Sequence, residues 1–235
     1  MRYTERPLLI YWELTRACDL ACRHCRAEAI PWRDPRELST AEGLALLGRL
    51  TAFGDPLPHL VLTGGDPLKR PDLFDLIAEA RRLGFQVALT PSGTYALTEA
   101  MIARLKEAGI WMMALSLDGS TAERHDALRG VPGSFAQTVR AARWAVAAGL
   151  PLQINTLVCA ETLPDLPAIA EQVAAMGAHR WSLFFLVPVG RGRLLREISP
   201  EESERLMHWL IDLAPQVPFE IKTTEAHHYL SLIHI

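Results

Sequence analysis

The sequence has few or none of the features that mark several functional classes. It has four cysteines in 235 residues and a net charge of −3, and no apolar run approaches the roughly 20 residues that span a bilayer. So few cysteines argue against a disulfide-stapled secreted domain, and the lack of a net positive charge argues against a nucleic-acid partner. The N-terminus has no small-residue cleavage site after an apolar core. We therefore expect a cytoplasmic protein with neither membrane nor nucleic-acid partners.

Two nucleotide-binding patterns are also missing. No Gly-x-Gly-x-x-Gly turn follows the first apolar run, and there is no Walker-type phosphate loop. A further stretch, the basic run at 191–197, is interpreted as a solvated loop. These observations leave open the catalytic and binding functions that need neither a dinucleotide fold nor a phosphate loop.

Apolar runs of strand length alternate with helical patterns along the whole chain. Strands are predicted at 7–14, 59–65, 85–93, 110–119, 150–158, 180–190 and 219–224. Helices are predicted at 39–54, 70–84, 97–109, 134–149, 163–177 and 199–214. This alternation indicates an α/β fold with parallel strands, in the form of a partial (β/α)6 TIM-like barrel. A doubly wound open sheet is the alternative.

The residues at the carboxyl ends of the predicted strands are distinctive, and in such barrels chemistry takes place at that rim. A cysteine-rich loop follows the first strand, and the turn "TGGDPL" follows the second. "SLDG" ends the fourth strand, Asn155 lies on the fifth and "LVPVG" ends the sixth. We expect all of these segments to lie on one rim.

Three of the four cysteines, Cys18, Cys22 and Cys25, lie within eight residues in the spacing Cys-x3-Cys-x2-Cys. Thiolates at this spacing suit zinc or an iron–sulfur cluster. One alternative is a non-catalytic zinc knuckle or interaction module with His24 as the fourth ligand, although adjacent His24 and Cys25 are poorly placed to share one tetrahedral ion. Three ligands on a four-iron cluster leave one iron open, which implies a bound small molecule and therefore chemistry.

The loop "TRACDLACRHCRAEA" resembles the cluster loop of radical S-adenosylmethionine (radical SAM) enzymes, whose signature is this spacing. "LTGGDPLKRPDLF", "LSLDG", "HDALRGVPGSF" and "LFFLVPVGRG" extend the likeness over residues 6 to 229. Together they resemble the branch related to haem-biosynthesis enzymes and peptide maturases, which usually carries a C-terminal cysteine-rich extension, the SPASM domain.

The resemblance implies a cofactor set and a reaction. Cys18, Cys22 and Cys25 would hold a [4Fe-4S] cluster, and the amino and carboxylate groups of S-adenosylmethionine (SAM) would chelate the fourth iron. An external one-electron reductant of flavodoxin or ferredoxin type would allow SAM to break into methionine and a 5′-deoxyadenosyl radical. That radical would take a hydrogen atom from a peptide or from a small-molecule substrate of tetrapyrrole type.

The resemblance also implies which residues contact SAM: Gly64, Gly65, Asp66, Ser116, Arg129, His24, Asn155 and Val187. The Gly64–Gly65 backbone and Asp66 would receive the SAM ammonium group. Family members usually have glutamate where this chain has Asp66, so the carboxylate reaches less far.

The other SAM contacts come from later strands. Ser116 would bond the ribose or the carboxylate, and Arg129, in the loop after the fourth strand, would pair with the carboxylate. His24 and the stretch around Val187 would lie near the adenine, and Asn155 would make a polar contact.

The last six residues, "LSLIHI", are the translation of CTG TCT CTT ATA CAC ATC, the transposon mosaic-end sequence of sequencing adapters. We therefore expect a radical SAM core domain at 1–229 and adapter read-through, not native sequence, at 230–235. On this interpretation the chain is truncated before the cysteine-rich extension, and it could bind a cluster and SAM without converting its natural substrate.

Overall fold

The computed structural model describes residues 6–226, which form alternating strands and helices. The strands are β1 (Leu9–Thr15), β2 (His59–Gly64), β3 (Val87–Leu89), β4 (Ile110–Ser116), β5 (Leu152–Val158), β6 (Arg180–Phe185) and β7 (Glu220–Thr224). The helices are α1 (Thr40–Leu50), α2 (Leu73–Arg82), α3 (Glu99–Glu107), α4 (Ala122–Arg129), α5 (Ser134–Ala147), α6 (Leu166–Ala175) and α7 (Pro200–Leu213).

All seven strands form one sheet, in the order β1-β2-β3-β4-β5-β6-β7, and each neighbouring pair is parallel. A doubly wound sheet would reverse its strand order at a switch point, and this sheet does not. Among the described residues no pairing joins β1 to β7, so the sheet stays open. The predicted α/β fold, a partial TIM-like barrel of parallel strands, is confirmed.

The hydrophobic core lies between one face of the sheet and the helices. Alternate strand residues such as Leu60 and Leu62 are fully buried, together with Leu76 and Ile77 of α2. Successive strand side chains point to opposite faces, so this packing leaves the other set of residues on the concave side. The concave side therefore carries the intervening strand residues, among them the polar Asn155 and Ser182.

Most element boundaries agree with the sequence prediction, and the exceptions have local causes. Ser39 caps α1 in a capping box with Glu42, as its position after a loop suggests. Helix α4 was not predicted, because its eight residues are mostly polar and show little apolar periodicity. It begins after the Thr121 cap and ends at Gly130, which has the left-handed conformation that stops helices.

Two expectations about the chain's extent remain predictions. The boundaries of a core domain at 1–229 are untested, and the segment 230–235 lies outside the described residues. Between residues 6 and 226 no helix combines the length and the apolar character needed to cross a membrane.

Candidate cluster and cofactor site

The cysteine loop is held at the rim by backbone hydrogen bonds on both sides. Near β1, Cys18 N donates to Ile30 O at 2.8 Å, which folds the loop back on itself. On the other side, Ala21 N and Arg23 N donate to the carbonyls of Arg129 and Leu128, at 3.1 and 2.8 Å. The loop is therefore fixed between the end of β1 and the C-terminal turn of α4.

Each of the three thiols has a hydrogen-bond donor beside it. Leu20 N donates to Cys18 Sγ at 3.4 Å, and Ser92 Oγ, which donates to Gly65 O, lies 3.3 Å from the same sulfur. Ala29 N donates to Cys25 Sγ at 3.3 Å, and Arg129 Nη1 lies 3.5 Å from Cys22 Sγ. In the cluster-free protein, burial raises the pKa of the Cys18 thiol, and the hydrogen bond from the Leu20 N–H opposes this. Donors aimed at sulfur stabilise thiolate ligands and adjust cluster potentials.

This arrangement fits an iron–sulfur cluster better than a single zinc ion. Within residues 6–226 no three His, Cys, Asp or Glu side chains converge closely enough to hold one metal ion. His24, the proposed fourth zinc ligand, faces Asp118 instead, with 3.7 Å between Nε2 and Oδ2. A four-iron cluster takes each thiolate on a different iron, so its ligands need not meet at one point.

The Gly64–Gly65 turn lies against the start of the cysteine loop. Gly65 N donates to Thr15 O and Asp66 N donates to Ala17 O, both at 2.7 Å. Gly64 has a φ of +129°, and a Cβ placed there would lie 2.4 Å from Thr15 O. A Cβ on Gly65 would lie 2.4 Å from Ala17 O. Only glycine allows the end of β2 to approach the loop this closely.

Asp66 is fully buried and already has protein partners. Its carboxylate accepts from Thr94 Oγ1 at 2.9 Å and from Leu68 N at 3.2 Å. Burial raises the pKa of Asp66, and these hydrogen bonds oppose that effect. The carboxylate thus joins the glycine turn to the loop after β3, and its contact with the SAM ammonium group stays a prediction.

Asp118 is a functional candidate that the sequence analysis did not select. Its carboxylate is buried at the end of β4, where Oδ2 lies 2.9 Å from Arg129 Nη2 and Oδ1 accepts from Leu157 N at 2.8 Å. Burial favours the neutral acid, but Arg129 and His24 outweigh it and lower the pKa of Asp118 to about 2. The motif "SLDG" followed by an arginine 11 residues later was the available signal.

Arg129 differs from its expected setting. It is the last residue of α4, not a loop residue, because the segment after β4 is helical. Burial lowers the pKa of Arg129, but Asp118 and the Cys22 sulfur outweigh burial and raise this pKa above its ordinary value. Its guanidinium links the two groups, and its pairing with the SAM carboxylate remains a prediction.

His24 lies beside this pair. Burial is the main cause that lowers the pKa of His24 to about 4. Its Nδ1 is buried and has no hydrogen-bond partner within residues 6–226. The side chain is therefore neutral at physiological pH and has one ring nitrogen available for a ligand.

The Asp118–Arg129 pair gives a stability prediction. Asp118→Asn removes the charge that balances a buried guanidinium, so we expect the free energy of unfolding to fall by about 3 kcal/mol. Chemical denaturation of the cluster-free protein measures the change. Asp212→Asn, at an exposed position on α7, is the matched control and should leave stability unchanged. Equal stability of the two variants would mean that the pair contributes nothing.

The remaining candidates lie on the later strands. Ser116 is the last residue of β4 and pairs in register with Asn155 of β5. Both side chains are half-buried on the concave side, and Asn155 Oδ1 accepts from Gln153 Nε2 at 2.7 Å. Val187, just after β6, is 45% exposed and free to contact a ligand.

Arg191 was missed, because the basic run at 191–197 was interpreted as a solvated loop. Its guanidinium donates to Cys22 O at 2.9 Å and to Ala29 O at 3.1 Å, and its backbone N donates to Cys25 O at 3.2 Å. Arg191 therefore fixes the cysteine loop from the β6 side. Its place next to a strand end at the rim was the signal that could have identified it.

The structure is an open barrel of parallel strands, and a loop with three cysteines lies at its carboxyl rim. This combination is typical of proteins that bind an iron–sulfur cluster beside a small molecule. The family model described as "Radical SAM superfamily" matches residues 12–173, and the chain belongs to that superfamily. Its members are enzymes that use a [4Fe-4S] cluster and SAM.

Named relatives support this membership. The chain is 41% identical over 227 residues to the AdoMet-dependent heme synthase of Oleidesulfovibrio alaskensis. The aligned region covers 96% of this chain and 58% of the relative. It is 31% identical over 230 residues to the Fe-coproporphyrin III synthase of Methanosarcina barkeri, with 95% of this chain and 56% of the relative covered. The chain thus spans somewhat more than half the length of these curated relatives.

A solved structure has the same fold. Streptococcus suis SuiB bound to S-adenosylmethionine superimposes with a TM-score of 0.82 at 16% identity, covering 98% of this chain and 53% of SuiB. SuiB has also been solved with its precursor peptide SuiA, and that structure gives a TM-score of 0.80.

Proposed function

We propose that this chain is the catalytic core of a radical SAM enzyme that acts on a tetrapyrrole carrying carboxylate side chains. The observation that carries the proposal is the 41% identity, over nearly the whole chain, to an AdoMet-dependent heme synthase. The weaker likeness to an Fe-coproporphyrin III synthase supports the same substrate class.

The three thiols have the central role in the proposal. Cys18, Cys22 and Cys25 hold a [4Fe-4S] cluster whose fourth iron is left for SAM. When both are bound, cluster and SAM supply a 5′-deoxyadenosyl radical, with the electron coming from an external reductant of flavodoxin or ferredoxin type. The donors beside the sulfurs, Leu20 N, Ala29 N and the Arg129 guanidinium, would stabilise the thiolate charge and hold the loop in place. Such a cluster needs a reducing compartment, so we place the protein in the cytoplasm.

Other residues of the chain would orient SAM. The Gly64–Gly65 turn offers backbone close to Cys18, where a side chain would block the approach. Ser116 and Asn155 offer polar groups from the concave side, and the unpartnered Nδ1 of His24 offers one more. Val187 adds apolar surface for a base.

Anaerobic reconstitution tests the proposal. We expect a brown protein with about four irons per chain, whose reduced cluster changes its EPR spectrum when SAM is added. With reductant and SAM present, we expect 5′-deoxyadenosine to accumulate faster when iron coproporphyrin III is added.

The controls separate the cluster from the substrate class. Samples without reductant should give no 5′-deoxyadenosine. A colourless protein with one zinc ion per chain would overturn the radical SAM assignment. Cleavage of SAM that responds to a precursor peptide but not to the porphyrin would replace the tetrapyrrole by a peptide, the other substrate class expected from the sequence.

A further inference from the structure

A row of polar residues crosses four neighbouring strands, from the last residue of β4 to the middle of β5, β6 and β7. Ser116 of β4 pairs in register with Asn155 of β5, Asn155 pairs with Ser182 of β6, and Ser182 pairs with Lys222 of β7. Register partners in a sheet project from the same face, so these four side chains form one continuous line. We refer to them as the polar row.

The polar row lies on the concave side of the sheet. The residues next to it along each strand, Leu115, Ile154 and Leu183, are fully buried in the core against the helices. Because side chains alternate between faces, the polar row points away from the helices and into the open barrel. It therefore lines the concave interior of the sheet, on the side opposite the helices.

The β6–β7 end of the polar row carries polar groups that the protein itself does not satisfy. Ser182 is fully buried, and its Oγ has no hydrogen-bond partner among the described residues. Lys222 is half-buried and makes no ion pair or hydrogen bond within residues 6–226. A buried polar group without a partner lowers the stability of the folded protein. Such a group therefore needs an explanation, and a ligand that pairs with it on binding is one.

The charges around Lys222 favour an anion. Arg180, one layer lower on β6, is held by Glu220, with 2.6 Å between Nη2 and Oε2. Burial lowers the pKa of Lys222, and the positive charge of Arg180 adds to this. An anionic group bound beside Lys222 would compensate for both effects.

We propose that Lys222 and Ser182 bind a carboxylate of the substrate, the ammonium by ion pairing and the hydroxyl by donating a hydrogen bond. The inference rests on the proposed function and adds to it, since it assigns two residues to one propionate group of the tetrapyrrole. Lys222 is two strands from Asn155, or about 10 Å. The bound carboxylate would thus fix the macrocycle at a distance from the residues expected to contact SAM.

Binding experiments with matched probes test the assignment. The probes are iron coproporphyrin III, which has four propionates, and its tetramethyl ester, whose side chains carry no charge. For Lys222→Met we expect affinity for the acid to fall about tenfold and affinity for the ester to stay unchanged. Lys222→Arg should recover most of the loss, because it restores the charge.

Two further variants serve as controls. Lys106→Met removes a positive charge from α3 on the outside of the barrel and should leave both affinities unchanged. Ser182→Ala should weaken acid binding about threefold while the melting temperature of the ligand-free protein stays the same or rises, because the lost hydroxyl has no protein partner. A purely structural serine would lower the melting temperature instead.

The outcomes separate this inference from the proposed function. If wild type cleaves SAM and binds the porphyrin, and Lys222→Met binds the acid normally, the carboxylate site is wrong and the proposed function stands. Equal losses for acid and ester would also overturn the site. If the tetrapyrrole does not bind but a glutamate-containing peptide does, and Lys222→Met weakens that peptide, the carboxylate site stands and the tetrapyrrole assignment falls.

Discussion

Replacing any one of Cys18, Cys22 and Cys25 by alanine is expected to abolish SAM cleavage. In the proposed site each thiolate would hold a separate iron, so loss of one would leave a cluster with two protein ligands. We expect reconstituted iron to fall far below the wild-type content of about four per chain, and 5′-deoxyadenosine to fall to the level seen without protein. Iron analysis, the visible spectrum and product chromatography measure the three changes.

Cys159→Ala is the matched control for the cysteine variants. Cys159 is buried just after β5, where its sulfur lies 3.5 Å from Thr162 Oγ1. Cys159 packs with Leu157 and Leu186 in a group of buried residues separate from the loop cysteines, so we expect a core thiol and not a thiolate ligand. This variant should keep full iron content and SAM cleavage. A full cluster in Cys22→Ala, or its loss in Cys159→Ala, would contradict the assigned ligand set.

Gly64→Ala is expected to lower the free energy of unfolding by about 3 kcal/mol or more. The new Cβ would lie 2.4 Å from Thr15 O, and Gly64 has a φ of +129° that alanine rarely adopts. Neither Thr15 O nor Gly64 can move aside without disrupting hydrogen bonds, because both belong to the paired backbone of β1 and β2. Chemical denaturation measures the loss, and iron content after reconstitution reports on the displaced cysteine loop.

Gly48→Ala is the control for the glycine variant. Gly48 is in the last turn of α1, and a Cβ there would meet nothing within 4 Å. Alanine is favoured over glycine inside helices, so we expect a gain of about 0.5–1 kcal/mol. If Gly64→Ala were as stable as Gly48→Ala, the close approach of β2 to the cysteine loop would not need glycine.

The order of the elements could be predicted from the sequence because each carries its own signal. Seven apolar runs alternate with helical patterns, and glycines such as Gly84 and Gly109 mark where helices end. Helical connections between parallel strands are almost always right-handed, so strands that follow one another in the sequence were expected to be neighbours in the sheet. Strand ends were less certain: the apolar run at 85–93 contains a strand only at Val87–Leu89, since pairing with neighbours decides where a strand stops.

Helix α4 and the residues it carries could not be predicted. Its mostly polar sequence gives no helical signal, and it forms because Thr121 and Gly130 cap it and its buried residues pack. As a result, Arg129 was placed in a loop, and its pairing with Asp118 was missed. Two residues 11 apart in the chain become a buried ion pair only once β4 and α4 are packed together.

The sequence by itself predicted which cysteines would hold a cluster, because their spacing within one short loop is a local property that folding does not change. It also determined the glycine turn and the alternation of strands and helices. The tertiary structure decided which groups surround that loop. Ser92, Arg129 and Arg191 contact it from three different segments of the rim. The polar row likewise depends on register, since Ser116 and Lys222 are more than 100 residues apart and align only when four strands pair.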